Sequence, residues 1–190
     1  MLYNNVMSTA KHAAKKIAVL GILTGLSLAA FIIESLLPPL FIPGAKAGIA
    51  NVFSFAALII YSPAEAFAVV AVKSILGAVY AGNLSSMLYS FTGGAVSMAI
   101  SSVLIYFVYP KISVLAVSVA AAVTHNVTQN LVFVFITGSF LMFANLPYLA
   151  LLGVLSGAAV GALTLLVFKA VPQNIFENIL NKSSNTNKLK

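Results

Sequence analysis

Residues 112–137 read ISVLAVSVAAAVTHNVTQNLVFVFIT, a run of 26 residues without a single Lys, Arg, Asp or Glu. A helix that crosses the hydrocarbon of a bilayer needs about 20 apolar residues at about 1.5 Å rise each, and this run exceeds that length. A strand of a membrane barrel would be about 10 residues of alternating polarity, which the unbroken Val, Ala, Leu and Phe contradict. The run reads as a spanning helix, and His125, Asn126, Gln129 and Asn130 sit inside it.

Outward from it, five further apolar runs are bounded by charge, Pro, Gly or Asn. The first extends from about Ile17 to Leu37 and ends at Pro38–Pro39, and a short second, about Ala47 to Tyr61, stops at Ser62–Pro63. The third starts at Pro63–Glu65, a favourable helix N-terminus, and ends at Ala81–Gly82–Asn83. A fourth covers Leu84 to Tyr109, and the sixth, after the quoted run, about Leu146 to Lys169. The expected fold is all-α: a polytopic membrane protein built as a six-transmembrane-helix bundle. Residues 1–16 form a basic N-terminal segment, 17–169 the membrane domain and 170–190 a polar tail, of which Asn181–Lys190 has a disordered composition.

Composition agrees. The chain of 190 residues is 61% hydrophobic and 7% charged, with a mean hydropathy of +1.07, against about 25% charged residues in soluble proteins. Glu34, Glu65 and Glu177 are the only acids, and Asp and Cys are absent. Two-carboxylate hydrolysis, Asp-bearing triads, Asp-rich magnesium sites, disulfides and sulfur-ligated metals are therefore poorly supported, and no cofactor or metal is expected.

The net charge of +7 comes from ten Lys, six of them in the tails: Lys11, Lys15, Lys16, Lys182, Lys188 and Lys190. That distribution fits membrane topology and anionic lipid rather than nucleic acid. With six crossings, the tails, Lys111 and Lys169 share one side, which the positive-inside rule makes cytoplasmic in a plasma membrane. Lys46 and Lys73 do not follow the rule, and such misfits mark candidate functional positions. A cleaved signal peptide is the competing reading of the N-terminus, but the apolar run continues through Phe31, Ile32 and Ile33 without a polar break.

Gly153, Gly157 and Gly161 repeat at four-residue steps, as do Gly21, Gly25 and Ala29. Ser86, Ser90 and Gly94 form a similar stripe, and Ser97 with Ser101 another. Such stripes permit close helix packing, within this chain or against another membrane subunit.

The polar candidates lie among these helices. Lys73 is near the middle of its span, where an amine costs at least about 2.5 kcal/mol if it faces lipid, so it faces protein, water or ligand. Gly77 and Tyr80 share its face, with snorkelling or pairing to a Glu as the alternative role. His125, Asn126, Gln129 and Asn130 occupy a sector of about 140°, either a binding face or proton path, or a set of interhelical hydrogen bonds. Pro43–Gly44–Ala45–Lys46–Ala47–Gly48 before Asn51 offers a cation and backbone amides to an anion, and Glu34 can pair with Lys46.

Four ordered segments carry a family resemblance. They are Glu34–Ser35–Leu36–Leu37–Pro38; Pro43–Gly44–Ala45–Lys46–Ala47–Gly48–Ile49–Ala50–Asn51; Tyr89–Ser90–Phe91–Thr92–Gly93–Gly94; and His125–Asn126–Val127–Thr128–Gln129. Together, over about Lys15 to Lys169, the chain resembles the Gx transporter family, often labelled heptaprenyl diphosphate synthase component I. That family is similar to the substrate-binding S components of energy-coupling-factor (ECF) transporters, six-helix bundles with an outward-facing pocket. The resemblance implies a solute-capturing subunit that works with a coupling subunit and ATPases, since no phosphate-binding Gly-x-x-x-x-Gly-Lys-Ser/Thr loop is present.

It further implies that Ala13–Ala14–Lys15–Lys16–Ile17–Ala18 matches the family's coupling motif, making Ala13, Ala14, Ala18, Gly21 and Gly25 the partner interface. The family's third helix usually carries Arg where this chain has Lys73, which changes a bidentate contact into a point charge. The expected solute is small and anionic or polar, held by Lys46, Asn51, Lys73, Tyr80, Tyr89, His125, Asn126, Gln129 and Asn130. The alternative is a non-catalytic membrane accessory subunit in isoprenoid or menaquinone metabolism. Without Asp-rich clusters to hold magnesium on a diphosphate, the chain is not expected to be an enzyme.

Overall fold

A computed structural model describes residues 2–36, 48–82 and 84–170. The elements are α1 (Leu2–Leu36), α2 (Ala50–Ile60), α3 (Pro63–Ala81), α4 (Leu84–Val103), α5 (Val114–Thr137) and α6 (Leu146–Ala170). A π-helical turn over Leu104–Val108 extends α4, and a 3-10 turn over Phe140–Asn145 precedes α6. No strand occurs among the described residues. The expected disorder of Asn181–Lys190 lies outside the described residues.

Boundaries follow local chemistry. Ser113 caps α5 by accepting from the Ala116 amide at 3.1 Å, so that helix begins two residues after Ile112. Pro63 opens α3, and Gly82 closes it with φ +61°, which a side chain would strain.

Two expectations need correction. The first helix begins at Leu2 and not near Ile17, so the basic N-terminal segment is itself helical. The second is only 11 residues, about 16 Å, too short to cross about 30 Å of hydrocarbon. It starts late because Gly48 takes φ +78°, turning the chain immediately before the helix. Five helices are long and apolar enough to span, among the described residues, and α2 is not one of them.

Connectivity still returns the chain across the bundle between α1 and α3. Lys16 near the start of the α1 span pairs with Glu65 in the first turn of α3, Ser62 donates to the same carboxylate, and the Lys16 ammonium lies 5.7 Å from the Tyr61 ring. Both spans therefore begin on one side. Large apolar side chains such as Val79, Phe107, Phe135 and Leu141 face outward, as a lipid-bathed surface requires.

The core lies where α2, α3, α4 and α5 meet, around Phe55, Leu58, Val69, Val70, Met98 and Val117. The α5–α6 contact uses the glycine stripe: a Cβ on Gly157 would stand 2.6 Å from the Val119 Cα, and one on Gly153 2.7 Å from the Val123 Cα. The corresponding stripe on α1 does not pack within the chain. Gly21 and Gly25 have nothing within 4 Å, and Ala29 is exposed, because α1 touches α2 and α3 with its other face through Leu20, Leu23, Ser27 and Phe31.

Candidate functional site

Lys73 is the third span's buried amine, 2% exposed, and its Nζ donates to Asn51 Oδ1 at 2.8 Å. Eight residues separate it from Glu65, about 12 Å along the helix, so Asn51 and the start of α2 lie deep in the bundle. Two contacts from α1 fix that start: the Ser27 hydroxyl donates to the Ala50 carbonyl at 2.7 Å, and the Glu34 carboxylate accepts from the Ile49 amide at 2.5 Å. Glu34 thus occupies an amide that the sequence offered to an external anion. Lys46 lies outside the described residues.

Gly77, expected to leave a gap beside Lys73, is covered by Phe31, whose ring would meet an added Cβ at 2.6 Å. Tyr80 shares the helical face of Lys73 but is 55% exposed at the end of α3, apart from these residues.

On α5, His125, Asn126 and Asn130 are buried and Gln129 is partly so. Asn126 donates to the Leu149 carbonyl at 3.1 Å and Asn130 to the Met142 carbonyl at 3.1 Å. These amides therefore also hold α6 and the turn before it, the interhelical role weighed for them. The approach of α4 depends on Gly93, where a Cβ would stand 2.7 Å from Gln129 Cγ and 3.1 Å from the His125 carbonyl. Half-buried Tyr89 meets Phe133 edge to face at 6.3 Å.

Asn51, His125 and Asn126 come together around a cavity bounded by α2, α4, α5 and α6, whose wall also includes Gly48, Ser97, Ser118 and Ser156. Its free room is about 20 Å³, against the roughly 10–15 Å³ that one water requires. Lys73 stands behind Asn51, while Tyr80 and Tyr89 do not line this space. Ser118, 2% exposed, has no hydrogen-bond partner for its hydroxyl among the described residues. It is a wall residue that sequence reading missed, since a lone Ser on an apolar helix resembles packing; Ser97 was read only as packing, and donates to the Ala121 carbonyl at 2.8 Å.

Outside the spans, burial raises the Tyr61 phenol above its ordinary pKa, with Lys16 pulling the other way. No cluster of three or more His, Cys, Asp or Glu with metal-binding geometry occurs among the described residues.

This architecture defines a multi-pass α-helical membrane protein with a polar pocket wall buried at mid-depth. The chain belongs to the heptaprenyl diphosphate synthase component I family, whose model matches residues 23–167, well over half its length. No curated protein and no solved structure matches it.

Proposed function

We propose that this chain is the solute-capturing membrane subunit of an importer of the ECF type, taking a small anionic or polar molecule from outside. The observation that carries the reading is Lys73: an ammonium held at mid-membrane depth by Asn51, beside a cavity walled by His125, Asn126, Ser97 and Ser118. Ionisable groups at such depth are costly and characteristic of solute and ion paths. An arriving anion competes with Asn51 for the ammonium. Because the closed cavity has room for about one water, binding also displaces the start of α2.

The exposed face bearing Ala13, Ala14, Ala18, Gly21 and Gly25 supports a docking role toward a coupling subunit, which with partner ATPases supplies the energy. The N- and C-termini face the cytoplasm of a plasma membrane, by the positive-inside rule. The family's description favours a second reading, a membrane accessory subunit of a prenyl diphosphate synthase.

Native mass spectrometry of the protein purified with its chromosomal neighbours separates the two. A stoichiometric anionic or polar solute, lost in Lys73→Met, supports capture. A protein that carries no solute and binds a soluble prenyl synthase refutes it.

A further inference from the structure

A hydroxyl inside a membrane helix ordinarily closes on the carbonyl four residues back, and this chain does so at Ser101, Ser102, Thr124 and Thr164. Ser118 departs from that pattern. It is 2% exposed, its hydroxyl has no hydrogen-bond partner among the described residues, and it belongs to the cavity wall. A buried hydroxyl left in that condition is costly, so it calls for a partner from the cavity side.

Two further hydroxyls reach the same wall from other helices, Ser97 from α4 and Ser156 from α6. Each has already committed its proton: Ser97 to the Ala121 carbonyl at 2.8 Å, and Ser156 to the Gly153 carbonyl at 3.4 Å. A hydroxyl carries one proton and two lone pairs, so both oxygens can still accept. The wall thus offers one uncommitted donor and two acceptors, the complement of a molecule that accepts once and donates twice.

Charge selects against the alternatives. No Glu or Lys lines the cavity, so an inorganic cation would find no carboxylate there and would face the Lys73 ammonium behind Asn51. His125 lies seven residues from Ser118, about 10 Å along α5, which sets the Ser118 end of the wall apart from it. Room of about 20 Å³ suits one water and little more.

We propose that Ser118, Ser97 and Ser156 form a site for one neutral oxygen, held by a single buried water: Ser118 donates to it, and it donates to the Ser97 and Ser156 oxygens. The water satisfies the orphaned hydroxyl and ties α5 to α4 and α6 through one molecule. Under the capture reading, on which this last step alone rests, an incoming solute expels the water and meets the same Ser with an oxygen of its own. A hydroxyl group, which both accepts and donates, fits that place, and a methyl group does not.

Met98, also in the wall and 2% exposed, is the reporter. Brief X-ray radiolysis of the full-length protein in detergent converts water into hydroxyl radicals, which oxidise nearby methionine sulfur, and mass spectrometry reads the product. A buried water makes its radical beside Met98, whereas half-buried Met142 is reached by radicals from bulk solvent. Met98 should be oxidised in the wild type, and should stay oxidised when ascorbate, a scavenger confined to bulk water, suppresses Met142. Ser118→Ala removes only the donor and should lower Met98 oxidation about fivefold, the effect of one hydrogen bond on the water's occupancy, with Met142 unchanged. Met98 untouched in the wild type, suppressed in step with Met142, or oxidised equally in Ser118→Ala overturns the proposal. No solute enters this readout, so the water site and the capture function fail separately.

Discussion

Replacing Lys73 by Met, Asn51 by Leu, and both together tests whether the mid-membrane amine is held at a cost. A hydrogen bond to a charged group contributes about 1.5–3 kcal/mol, and an amine near the bilayer centre costs roughly 2.5–3.5 kcal/mol. Lys73→Met loses the 2.8 Å contact and removes a buried ammonium that is 2% exposed. The two effects nearly offset, so its stability should stay within about 1 kcal/mol of wild type. Asn51→Leu removes this acceptor and leaves the ammonium in place, and should cost about 2–3 kcal/mol. The double variant should resemble Lys73→Met, giving a coupling of about 2 kcal/mol. Thermal unfolding in one detergent measures the series: at about 2–4 °C per kcal/mol for a chain of this size, Asn51→Leu should melt roughly 4–12 °C lower. Additive losses, or Lys73→Met melting as low as Asn51→Leu, would refute the reasoning.

The glycine stripes should separate in the same assay. Gly157→Leu, which drives a side chain into the Val119 backbone, should lower melting by more than 10 °C or abolish folded yield, whereas Gly21→Leu, with open space around it, should leave melting within about 2 °C. Asn126→Leu should lose about 0.5–1.5 kcal/mol by removing the side-chain donor that ties α5 to the Leu149 carbonyl, read as earlier melting and faster hydrogen exchange at the start of α6. Ser113→Ala removes the cap of α5 and should cost about 1 kcal/mol, with faster exchange confined to residues 114–116.

Much of the fold was legible because hydrocarbon thickness and backbone satisfaction leave few choices. A largely apolar run bounded by Pro63 and Gly82, with Glu65 and Lys73 as its charges, has to be a helix of about that length, and it is. Hydropathy misjudged the ends of α1 and α2 for opposite reasons. Asn4, Ser8, Lys11 and Lys15 look like a tail when averaged, and only their spacing shows a helix. Around α2, Ala47 through Ile49 are apolar enough to extend a span, yet the left-handed Gly48 starts the helix at Ala50.

The site was legible as a set of unusual residues and not as an arrangement. Lys73 stood out because its charge is costly at that depth, but Asn51, to which it donates, lies 22 positions away on α2, and spacing along α3 carries no information about that register. Tyr80 illustrates the limit: i+7 places it on the face of Lys73, yet it emerges exposed at the helix end. Asn126 and Asn130 show the other half of the problem. An amide has two donors and an acceptor, and in a bilayer some must close on protein, so residues chosen as ligand contacts also donate to the Leu149 and Met142 carbonyls. Polar side chains at mid-membrane depth thus serve helix association before they serve a solute. Loss of binding in a variant of Asn126 or Asn130 therefore implicates the site only if folding of α6 is unchanged, while Lys73→Met, whose removal relieves a buried charge, separates the two effects.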